Sequence, residues 1–64
     1  MNASETVAAL KDSVVRAAVS SWRERGGKAR RGTTDPRLVA LFDELEARGE
    51  EFAAELLAVC EAKA

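Results

Sequence analysis

The chain has 64 residues with ten basic and eleven acidic side chains, a net charge of −1, one cysteine and no histidine. A length of this kind holds one small domain, read as residues 1–64, and a single cysteine excludes an intrachain disulfide. Zinc sites take Cys and His ligands in fours, and histidine is the usual acid–base group at neutral pH, so neither a metal or other cofactor nor an enzymatic activity is expected.

At the start of the chain Asn2 is followed three residues later by Glu5, the spacing of a capping box, with Ser4 as a competing cap. No Pro or Gly interrupts the sequence from there to Arg25, and one helix is predicted over about 3–25. Val7, Leu10, Val14 and Ala17/Ala18 form one apolar stripe, ended by Ser21/Trp22, and Val15, Val19 and Trp22 form a second beside it. A lone amphipathic helix needs one buried face, and this one has about one and a half. Four valines lower its intrinsic propensity slightly, so packing must hold it.

Arg23 and Arg25 suit the last turn of that helix, where cations favour the negative end of its dipole. Gly26 supplies a left-handed C-cap. Residues 26–34 (GGKARRGTT) read as a loop. It is not a phosphate-binding loop, because no strand precedes it and Gly-Lys is followed by Ala instead of Ser or Thr. Asp35-Pro36 then restarts a helix, with Asp35 as N-cap and Pro36 at the first helical position.

This second helix is predicted over about 35–62. Leu38, Phe42, Leu45, Gly49, Phe52, Leu56 and Val59 alternate in steps of four and three and line one face. Gly49 stands mid-seam, where a missing side chain admits close helix packing. Arg48 before it and Glu50-Glu51 after it would suit a helix end and a new start. However, no Ser, Thr, Asp or Asn caps a new helix, and Leu45 to Phe52 is one heptad. A single helix, kinked at most, is therefore the favoured reading.

The expected fold is all-α: a two-helix antiparallel hairpin with arms roughly 33 and 40 Å long. Such a hairpin cannot cover both stripes of its first arm and the wide face of its second. Val15, Val19, Val39, Leu41 and Leu57 are left over as contact residues, with Trp22 as the expected hot spot. Dimerisation into a four-helix bundle, or docking on a larger partner, would cover them. Cys60, on the flank of the seam beside Glu61, reads as a small buried or interface hydrophobe.

Charge is divided unequally. Residues 1–37 carry eight basic and four acidic groups, and residues 38–64 carry two basic and seven acidic. The i, i+4 pairs Glu46/Glu50 and Glu51/Glu55 read as a solvated acidic face. Arg23, Arg25, Lys28, Arg30, Arg31 and Arg37 bracket the loop and are the candidate contacts to a phosphate backbone. Only Trp22 is aromatic among them, so stacking on bases is not suggested.

The first functional reading is a non-enzymatic interaction, assembly or adaptor subunit that partners itself or a larger protein. The absence of Ile, Gln, His and Tyr resembles GC-rich coding, as in an actinobacterium or one of its phages, so an accessory or structural protein of that origin is one setting. A small nucleic-acid-binding regulator using the segment from Arg23 to Arg37 is the alternative. An acidic-helix inhibitor or antitoxin is a third. No apolar stretch approaches the roughly 20 residues of a membrane span and no leader pattern is present. A cytoplasmic location, or a virion if phage-encoded, is expected, without membrane contact.

Overall fold

In the computed structural model, which describes residues 2–28 and 32–63, the chain forms four helices: α1 (Ala3–Ala9), α2 (Asp12–Glu24), α3 (Pro36–Arg48) and α4 (Glu50–Lys63). The all-α class is as expected. Each arm of the anticipated hairpin is divided in two, and both divisions have a physical cause.

The Asn2 Oδ1 caps α1 by accepting from the Glu5 N–H at 2.8 Å. Thr6, although buried, donates its hydroxyl to the Asn2 carbonyl at 3.0 Å. The helix then stops at Leu10 and Lys11, both extended, with φ/ψ of −120°/160° and −74°/147°. Neither residue is a helix breaker. The cause is the phase of the apolar residues: in one continuous helix Val15, Val19 and Trp22 would point roughly 80°, 120° and 60° away from Val7. The two extended residues change the direction of the chain, and Val7, Val15, Val19 and Trp22 are all buried.

At the end of α2 the Gly27 N–H bonds the Trp22 carbonyl at 2.9 Å and the Gly26 N–H bonds that of Arg23 at 3.0 Å. This is the Schellman pattern, with Gly26 at φ 71° as the left-handed residue. Gly27 lies over the indole: a β-carbon there would stand 3.6 Å from the Trp22 ring. Asp35 opens α3 by accepting from the Arg37 N–H at 2.9 Å, with Pro36 following it.

The second division is at Gly49, with φ 74° and ψ −154°. Side chains other than glycine's are essentially excluded from that region. The expected continuous helix is thus replaced by a one-residue turn. The favourable signs were Arg48 in the last turn of α3 and Glu50 and Glu51 in the first turn of α4. Each sets a charge against the opposing end of a helix dipole. The missing polar cap that argued for continuity is a weak objection, because glycine at an N-cap costs only a few tenths of a kcal/mol relative to Ser or Asp.

Turning back at Gly49 places α4 at the centre, in contact with α1, α2 and α3, the first of these most extensively. Phe52, Ala53, Leu56 and Cys60 of α4 are completely buried. They meet Ala3 and Val7 of α1, Val15, Ala18, Val19 and Trp22 of α2, and Leu41, Phe42 and Leu45 of α3 in one core cluster. The described structure measures 29 × 21 × 19 Å. An unbroken second arm would have been about 40 Å long. The radius of gyration, 10.5 Å, matches the roughly 11 Å of a compact chain of this length.

Candidate interaction surface

The residues proposed from sequence as a contact surface fall on two sides of a line. Val15 and Leu41 have no exposed area, Val19 retains 1% and Trp22 6%, so all four are consumed by the chain's own core. The reason is the pair of breaks: four short helices cover one another on more sides than two long ones can. Leu57 is half-buried against the same core, and Val39, at 39%, is the large exposed hydrophobic residue among those described.

Gly49 does not act as a close-packing position. A β-carbon built on it would meet nothing within 4 Å. Its function is the backbone conformation itself.

Three of the six candidate basic residues, Arg23, Arg25 and Arg37, make intramolecular contacts. Arg23, at the end of α2, pairs with Glu50 at the start of α4, its Nε donating to Oε2 at 3.2 Å. Charges of both signs thereby complement the helix ends on which they sit. Arg37 pairs with Asp35 at 3.3 Å and donates to the Ala9 carbonyl at 3.3 Å, satisfying the C-terminal end of α1 from α3. Hydrogen bonding from the Arg37 guanidinium, and then from its backbone N–H, holds the Asp35 carboxyl below its ordinary pKa of 3.8. Arg25 donates to Ser21 Oγ at 3.3 Å. Lys28 is exposed, and Arg30 and Arg31 lie outside the described residues. On the acidic side, Arg48 engages Glu55 at 3.1 Å while its guanidinium covers the Phe52 ring at 4.3 Å. Arg23, Arg25 and Arg37 thus make contacts within the chain, and two of the acidic α4 carboxylates, Glu50 and Glu55, have cationic partners.

What the helices leave open is a groove of about 520 Å³ between α2 and the start of α3. Ser13, Ala17 and Ser21, at intervals of four on α2, form one wall with Val14 and Ala18. Leu38 and Phe42 of α3 form the other, and residues 32–35 close one end. This is the α2 part of the first stripe, with Val14 and Ala17, whereas Val7 of that stripe lies in α1 and is buried. The sequence reading assigned the outward role to the second stripe, Val15 and Val19. Only the packing decides which of two adjacent stripes turns inward. The small side chains Ser13, Ala17 and Ser21 were the signal that could have identified the open one, since they leave little to bury.

Among the described residues no group of three or more His, Cys, Asp or Glu side chains is placed to hold a metal ion, and no helix is long and apolar enough to cross a membrane. No protein-family model matches the chain, and no curated protein or solved structure is significantly similar to it.

Proposed function

We propose that this protein is a non-enzymatic assembly or adaptor subunit whose α2–α3 groove takes the apolar face of a helix from a larger protein. The observation that carries the reading is the groove itself, with Val14, Leu38 and Phe42 in its walls and the Ser13–Ala17–Ser21 row along α2. Residues four apart form a ridge on a helix surface, and small side chains along it let another helix approach closely. A second copy of the chain is a poor occupant, because its own large apolar side chains are buried or partly covered and Val39 alone among the described ones is exposed. A partner with an uncovered apolar helix fits better.

The test places a long charged side chain in the groove without touching the core. Ala17 is exposed, so Ala17→Arg leaves the fold and melting temperature unchanged. Proteins that co-purify with the wild type are compared quantitatively with those retained by Ala17→Arg. The binding segment of any partner lost is then titrated as an isolated peptide. A helical segment that binds the wild type and at least tenfold more weakly the variant is the expected result. If retained partners are unaffected by Ala17→Arg but released by raised salt or nuclease, the groove reading fails and the basic segment becomes the contact surface.

A further inference from the structure

The turn at Gly49 joins two helices that are already in register to be one. The Gly49 N–H bonds the Leu45 carbonyl at 2.7 Å, and the Ala53 N–H bonds the Gly49 carbonyl at 3.3 Å, both at the four-residue spacing of an α-helix. The Phe52 N–H is displaced, bonding Gly49 at 3.1 Å in place of Arg48. The apolar phase is continuous across the turn, with Leu38, Phe42 and Leu45 on one side and Phe52, Leu56 and Val59 on the other. Rotation about a single residue would therefore convert α3 and α4 into one straight helix with an unbroken seam.

Such an opening cannot persist in one molecule. Phe52, Ala53, Leu56 and Cys60 would be withdrawn from the core, where each is now fully buried. The contacts of α4 with α1, α2 and α3 can be rebuilt with one other surface, the same three helices of a second copy. From this we infer that Gly49 is a hinge for reciprocal exchange of α4, giving a dimer in which each chain's α4 completes the core of the other. Exchange of an identical element needs no new interface beyond the hinge, and short strained connections favour it. No exposed apolar surface is required, so the inference stands apart from the groove reading and can fail or succeed without it. In the closed form the hinge is held by a conformation that only glycine adopts readily. Glycine at this position thus keeps the single-chain form accessible.

Gly49→Ala tests the hinge. The added methyl group meets no neighbour within 4 Å, so the substitution acts on the backbone alone. The wild type should elute as a monomer at micromolar concentration and Gly49→Ala as a dimer, with helical content maintained or raised. Amide chemical-shift changes in that dimer should be confined to the segment from Leu45 to Ala53, because the rebuilt cores are identical. Dilution should not dissociate it until the protein is warmed towards unfolding. Insertion of Gly-Ser after Gly49, which relaxes the turn, should restore the monomer. A folded monomeric Gly49→Ala with only a lowered melting temperature would overturn the inference. So would a dimer that dissociates promptly on dilution with unchanged shifts at the hinge. Should Gly49→Ala fail to fold, the wild type refolded at millimolar concentration decides. A slowly dissociating dimer with hinge-confined shifts supports exchange, and exclusively monomeric protein overturns it.

Discussion

Asp35 shows how much a single side chain does in this chain. It caps α3 through the Arg37 N–H, pairs with the Arg37 side chain, and so helps position the guanidinium that reaches the carbonyl of Ala9. Its folded-state pKa lies below the ordinary 3.8. A carboxyl whose pKa falls on folding contributes stability that is fully present above the unfolded value and is lost as pH drops through the folded one. Asp35→Ala should therefore lower the melting temperature at neutral pH. The gap between variant and wild type should narrow below pH 3.8, measured by thermal denaturation at a series of acid pH values. An unchanged gap at pH 2 and pH 7 would show that the charge contributes nothing. Both the Asp35-Pro36 start and the Asn2/Glu5 cap were legible in the sequence, because a cap is made by residues that are neighbours along the chain.

At the level of helices, the two starts that lack a side-chain cap are the two that sequence reading missed. Lys11 has the extended backbone of an N-cap, but its side chain makes no capping bond. The Val14 and Val15 N–H groups bond only the Lys11 carbonyl, both at 3.0 Å. A hydroxyl at this position would accept from the first turn of α2. Lys11→Ser should stabilise the protein by about 0.5–1 kcal/mol. In a domain this small, that raises the melting temperature by roughly 4 °C, which calorimetry or circular dichroism would detect. The converse lesson is at Gly49, where glycine's permitted conformation and flanking charges suffice to end one helix and begin another. The ion pair between Arg23 and Glu50 then joins the end of α2 to the start of α4, with side chains 43% and 61% exposed. Exposure of that order limits such a pair to about 0–1 kcal/mol, so it orients the two helices more than it stabilises them.

For the whole molecule, the decisive feature is the central position of α4. A helix in contact with three others can bury apolar residues around much of its circumference, as Phe52, Ala53, Leu56 and Cys60 do. Leu41 and Val39 separate this arrangement from the hairpin expected at first, in which both would face outwards. Leu41→Ala should cost about 2–5 kcal/mol, because it opens a cavity in a closed core. Val39→Ala, at an exposed site, should change stability by less than about 0.5 kcal/mol. A chain of this length has a total stability of roughly 3–10 kcal/mol. The first variant should therefore unfold substantially in a urea titration, while the second follows the wild type. Equal, small losses would return Leu41 to the surface and reopen the hairpin.

Local sequence accounts for the helical character of the protein, the starts of α1 and α3, the end of α2, and the set of residues apolar enough to be buried. Those properties depend on residues within one or two turns of each other: a cap, a left-handed glycine, a period of 3.6. Packing in three dimensions sets the breaks at Leu10–Lys11 and at Gly49, the enclosure of α4 by the other three helices, and the inward facing of Val15 while Val14 borders a groove. These outcomes depend on how apolar faces from distant segments are covered together. Periodicity gives the width of a face and leaves open what will meet it.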